Sequence, residues 1–197
     1  MIHFDKDCIP ANDIVVLKMM DADVLSSKSS GFVVGDDALR NLRVGFYQIV
    51  KIGIEAKEKT GLDVGAYVFA DKLAAFYHTE PICLMRYNAL IMETNLERTK
   101  YRALGGRCIV QETKIGGEEK GGFVIPTTDE MKIGVIKSIT ESYEKPEHPI
   151  PFKVGDKVLL TKDERDTLHG FTGDGELDPT VPIHIYKTEA IIAKLKD

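Results

Sequence analysis

Five histidines (His3, His78, His148, His169 and His184), three cysteines (Cys8, Cys83 and Cys108) and two glycine pairs (Gly116-Gly117 and Gly121-Gly122) are the material from which a reactive site would have to be built. A zinc site needs His and Cys at short ligand spacings, and these stand apart from one another with no C-x-x-C among them. The glycine pairs could cradle a phosphate, yet no Lys-Ser/Thr follows and no helix-forming stretch opens behind them. Asp163, Glu164, Asp166, Asp174 and Glu176 crowd into one polar stretch without the ligand order of a calcium loop, which reads as a solvated face. Any Ser/His/Asp or Cys/His set would be a free choice among scattered residues. The sequence therefore predicts no catalytic residues, no metal and no cofactor, and the chain is expected not to be an enzyme.

The elements that would carry a binding function are more legible. With 197 residues, 43% hydrophobic and 29% charged, the chain has room for one large or two small domains. A net charge of -5 and the lack of a Lys/Arg run argue against nucleic acid as a partner. No apolar run approaches a membrane span, the opening residues lack signal or transit character, and three widely spaced cysteines fit reduced thiols. A cytoplasmic protein with no membrane partner is the expectation.

The central stretch is Arg107 to Pro126. Cys108 to Val110 suits a buried strand; Lys114 to Gly122 is rich in glycine and charge and is expected to be mobile; Phe123, Val124 and Ile125 then form a bulky apolar tip closed by Pro126. That tip is either the next core strand or a tethered docking peptide that orders against a partner's groove. A second copy favours docking. Ile14 to Leu17 is again a strand, Asp21 to Ser30 again polar, and Phe32, Val33 and Val34 again an apolar tip after Gly31.

The likeness continues. Val15-Val16-Leu17 matches Cys108-Ile109-Val110 at an offset of 93, Gly45 matches Gly134 at 89, Val64-Gly65 matches Val154-Gly155 at 90, and Ala89-Leu90-Ile91 matches Ala190-Ile191-Ile192 at 101. Loop insertions between fixed strands produce such drifting offsets, here chiefly from Thr161 to Pro182. Val44 to Gly53 and a stretch from Gly61 into Phe69 supply further strands, and Ile82 to Leu84 with Leu90 to Met92 read as a closing pair around Arg86-Tyr-Asn. Sustained helical periodicity is almost absent. The fold class expected is all-β, two tandem small β-barrels over residues 1–95 and 96–197, with open strand edges that favour an oligomer.

These motifs resemble the GroES-type co-chaperonin family. Pro10-Ala-Asn-Asp-Ile-Val-Val-Leu-Lys and Arg102-Ala-Leu-Gly-Gly-Arg-Cys-Ile-Val are similar to its opening strand, and Gly121-Gly-Phe-Val-Ile-Pro126 to its mobile-loop tip, with Gly31-Phe-Val-Val34 a looser match. Gly134-Val-Ile, Lys153-Val-Gly-Asp-Lys-Val158 and Glu189-Ala-Ile-Ile-Ala193 resemble its later strands and Val-Gly-Asp turn. The first half departs at Gly65-Ala66, where Gly-Asp is usual. The resemblance implies two GroES-like barrels, a homo-oligomeric ring, and a GroEL-type chaperonin as partner, bound through Phe32, Val33, Val34, Phe123, Val124 and Ile125 to assist ATP-dependent folding. The two-domain build is similar to chloroplast tandem co-chaperonins, and its divergence would suit a virus-encoded version. The alternative is a structural or virion scaffold protein that reuses the barrel with its tripeptides packed as core.

Overall fold

The computed structural model describes residues 9–20, 44–96, 100–112, 131–142, 150–161, 165–166 and 183–195. The chain divides into two compact units, Met1–Gly105 and Gly106–Asp197. Each is built on one antiparallel sheet.

In the first unit the strands are β1 (Ile14–Met19), β2 (Val44–Ile52), β3 (Tyr67–Asp71), β4 (Tyr77–Thr79), β5 (Ile82–Arg86), β6 (Leu90–Thr94) and β7 (Tyr101–Ala103). They lie side by side in the order β4-β5-β1-β2-β3-β6-β7. The second unit has β8 (Arg107–Glu112), β9 (Met131–Ile139), β10 (Lys157–Thr161), β11 (Arg165–Asp166), β12 (Ile183–Lys187) and β13 (Ile191–Lys194), ordered β11-β12-β8-β9-β10-β13. Strand for strand, the second order repeats the first as far as β6.

The irregularities repeat too. β1 shifts register against β2 between Val16 and Leu17, and β8 shifts against β9 between Ile109 and Val110. β3 shifts against β6 between Phe69 and Ala70, and β10 against β13 between Leu159 and Leu160. An extra residue on one strand locally disrupts pairing and increases twist, so matching shifts bend both sheets at matching rungs. Val15, Val16 and Leu17 are fully buried in succession, as are Cys108, Ile109 and Val110 to within 1%. A strand covered on both faces reads as a continuous apolar run, which is how these two appear in the sequence.

Register corrects one expected equivalence. Met19 pairs with Tyr47 and Glu112 with Gly134, so the counterpart of Gly134 is Tyr47, not Gly45. The two cores are then filled differently. Leu17, Ile49, Val68, Ala70 and Leu90 in the first correspond to Val110, Ile136, Val158, Leu160 and Ile191 in the second, all buried. The tyrosine in the first core comes from β2 as Tyr47, opposite Cys83 and Met85 on β5; in the second it comes from β12 as Tyr186, on the rung where β5 carries Met85. Close-packed interiors conserve total volume more strictly than the source of each side chain. The large aromatic residue is supplied by a different strand in each core.

Two further expectations differ. Residues Ile54–Thr60 form a short α-helix, α1, where no helical period was evident. It is ended by Gly61 in the left-handed conformation (φ 67°), and its buried side contributes only Ala56 and Thr60. Strands β5 and β6 do not pair with one another: a 3₁₀ turn at Tyr87–Ala89 separates them, and β5 pairs with β1 while β6 pairs with β3.

Candidate partner-docking loops

The six residues Phe32, Val33, Val34, Phe123, Val124 and Ile125 lie outside the described residues, as do the polar stretches before them. What the structure fixes is where their segments are anchored. The first departs from the end of β1 and returns at Val44; the second departs from the end of β8 and returns at Met131. The last paired rungs before departure are Met19–Tyr47 and Glu112–Gly134, which are counterparts. The returning residues are counterparts as well, since Val44 pairs with Asp71 and Met131 with Thr161. Both long connections thus leave and re-enter their sheets at the same rungs.

The first anchor is well packed. Met20 donates its N–H to the Phe46 carbonyl at 3.1 Å, and Phe46 lies against Phe69 (centroids 5.0 Å apart) and Tyr67 (5.8 Å). Such rings fix the strand that receives the segment. A rigid rim around a long connection is the arrangement a presented peptide requires.

Around the next turn the units diverge in charge. Gly65 and Gly155 both take positive φ (93° and 92°) in turns with matching backbone hydrogen bonds, Gly65 to the Ile49 carbonyl and Gly155 to the Ile136 carbonyl, each at 2.8 Å. Asp156 follows Gly155; its carboxylate accepts from Lys153 N–H at 3.0 Å and from Lys194 Nζ at 2.7 Å. The hydrogen bond from Lys194 and that from Lys153 hold the Asp156 carboxyl below its ordinary range. In the first unit Ala66 takes that place, and Glu93, the counterpart of Lys194, instead meets Arg102 of β7 at 2.6 Å.

Among the described residues no cluster of His, Cys, Asp and Glu could hold a metal ion. Cys83 and Cys108 are buried, and burial pushes both thiols up to about 12, so they are neutral and poorly nucleophilic at physiological pH. His78 is exposed on β4, while His184 is buried with its ring 6.4 Å from that of Tyr186. No helix among the described residues is long and apolar enough to cross a membrane.

Residues 100–194 match the family of the chaperonin 10 Kd subunit, a span that runs from β7 to the end of β13. At the family level this supports a GroES-like, chaperone-related second half. No curated protein matches the chain.

Proposed function

We propose that the protein is a non-enzymatic co-chaperonin of two GroES-like barrels that caps a GroEL-type chaperonin and assists ATP-dependent folding in the cytoplasm. The observation that carries this reading is the shared anchoring of the two long connections: the second lies within the family-matched span and holds Gly121-Gly-Phe-Val-Ile-Pro126, and the first leaves its sheet at the same rung. On this reading the first unit is a diverged copy of the same domain. Phe123, Val124 and Ile125 are the principal contacts, and Phe32, Val33 and Val34 the weaker set.

Burying one Phe, Val or Ile side chain contributes about 1.5–3 kcal/mol, while coupled ordering of a segment costs roughly 2–5 kcal/mol. A single loop then binds weakly, and several presented together bind well through raised effective concentration. A homo-oligomeric ring supplies that presentation. With two barrels per chain, three or four chains make a ring of even barrel number.

The test is capture of the protein by a GroEL-type chaperonin in the presence of nucleotide. Phe123→Ser with Ile125→Ser should abolish capture and leave the circular dichroism melt unchanged, and Phe32→Ser with Val34→Ser should weaken capture less. Unfolding of the Phe123/Ile125 variant would identify these residues as core and support the scaffold reading instead.

A further inference from the structure

A lone exposed apolar side chain needs no explanation, but a group of them does. Among the described residues, Leu73, Phe76 and Tyr77 fall together in one short strap and are accessible to 78%, 59% and 38%. The strap runs from the end of β3 at Asp71, through a 3₁₀ turn at Lys72–Ala74, into β4, the outermost strand of the first sheet. Its backbone is tied at both ends. Asp71 Oδ1 accepts from the Leu73 N–H at 2.9 Å, and Phe76 donates its N–H to the Leu84 carbonyl of β5 at 3.1 Å. A backbone fixed beforehand spares a contact part of the ordering cost that binding otherwise carries.

The second unit does not repeat these residues. Ile185 is the counterpart of Leu84, and Asp166 pairs with Ile185 as Tyr77 pairs with Leu84. The sequence therefore puts Asp166 at the place of Tyr77 and Arg165 at the place of Phe76. A contact made by every barrel with its neighbour would need the same surface in both units. Nor is the patch large enough to hold two copies together: three side chains exposed to this extent offer on the order of 400 Å², against about 800 Å² per partner in a stable complex. A weak contact is what it suits, and apolar contact is non-directional enough to accept many sequences.

The place of the strap in the fold bears on what meets it. Asp71 pairs with Val44, where the first long connection returns to the sheet. Met19, where that connection leaves, donates its N–H at 2.7 Å to the carbonyl of Pro81, in the turn between β4 and β5. The strap thus borders the end of the sheet from which the candidate docking segment is presented. On the function proposed above, a non-native chain is what is enclosed at that end, and its apolar side chains are in search of cover. We infer that Leu73, Phe76 and Tyr77 form a direct, low-affinity contact for an extended apolar stretch of non-native polypeptide, so that the first unit meets the folding chain while the second supplies the principal docking loop. This deepens the function proposed above and rests on it for the class of ligand.

The test uses the full chain without chaperonin, which separates it from capture. With Cys8→Ser in place and Cys83 and Cys108 buried, Leu73→Cys can carry a benzophenone maleimide. Illumination at micromolar concentration should cross-link it to reduced, carboxymethylated lactalbumin, a chain held unfolded, and not to the native, disulfide-bonded form of the same protein. Phe76→Arg with Tyr77→Asp installs the residues of the second unit and should weaken binding of the fluorescein-labelled unfolded chain about fivefold or more in anisotropy. Leu73→Lys, at the most exposed of the three positions, should do likewise with an unchanged circular dichroism melt, and keeps the test decisive if the paired change disturbs β4. No cross-link to the unfolded chain, equal cross-linking to both forms, cross-links only between copies, or a Leu73→Lys chain that binds as tightly as wild type would each overturn the inference. Binding of the unfolded chain without chaperonin capture would remove only the ring partner, and capture without such binding only this contact.

Discussion

A methyl group at Gly45 should destabilise the first unit, and only while Tyr47 keeps its ring. A Cβ built on Gly45 would lie 2.5 Å from Tyr47 Oη, 2.6 Å from Cε2 and 2.7 Å from Cζ, all inside van der Waals contact. The ring has nowhere to swing, because Tyr47 is 1% exposed within a core that includes Leu17, Ile49, Val68 and Met85. Overpacking a closed core costs about 1–3 kcal/mol, and for a unit of this size each kcal/mol lowers the midpoint by about 4–8 °C. Gly45→Ala is thus expected to melt at clearly lower temperature by scanning calorimetry. Tyr47→Leu ends at Cδ and lacks all three crowding atoms. In that background Gly45→Ala should be close to neutral, giving a coupling of about 1 kcal/mol or more in the double-mutant cycle. An equal cost in both backgrounds, or no cost in either, would refute the placement of the ring across Gly45. Gly134 offers a contrast: its Cβ would meet Val110 Cγ1 but also the Gln111 backbone oxygen at 2.9 Å, so trimming Val110 should relieve Gly134→Ala only in part.

Two further outcomes follow from charge and burial. Because the Asp156 carboxyl is held below its ordinary value by Lys194 and Lys153, it adds stability above the unfolded pKa, and that contribution is lost as pH falls through the lowered folded value. Asp156→Asn should accordingly flatten the acid limb of the second unit's stability curve and leave the first unit's limb unchanged, read by melts across an acidic pH series. Cys83 and Cys108, with thiols pushed up to about 12, should resist iodoacetamide in the native protein at mildly alkaline pH and react on unfolding. Fast native labelling of either would contradict its burial.

Much of the architecture was legible because the strands that fill both faces of a sheet announce themselves. Val15 to Leu17 and Cys108 to Val110 are unbroken β-branched or apolar runs, and the structure makes each a central strand. What escaped was anything set by pairing. Matching glycine to glycine aligned Gly45 with Gly134, but their roles differ: one makes room for a tyrosine two residues on in its own strand, and the other meets the neighbouring strand. Helix α1 escaped because seven residues with two buried positions carry no period to detect. The separation of β5 from β6 depends on a three-residue 3₁₀ turn, which no apolar pattern encodes. The six candidate docking residues were legible only as composition, an apolar tip after a polar stretch, and the described residues bear on them through their anchors alone.

The two turns, Gly65-Ala66 and Gly155-Asp156, share a backbone but differ in charge, and the charges around them differ with it. Losing the carboxylate at that turn would strand a cation on the last strand if Lys194 had a lysine counterpart. It has Glu93 instead, and Glu93 is matched by Arg102 from β7, whose guanidinium also donates to the carbonyl of Thr60, the last residue of α1, at 3.0 Å. Ala66, Glu93 and Arg102 thus form a set that differs from Asp156 and Lys194 in the second unit without leaving a charge unmatched. In the second unit the last strand is tied to the turn ahead of its own β10; in the first it is tied to the strand that covers it.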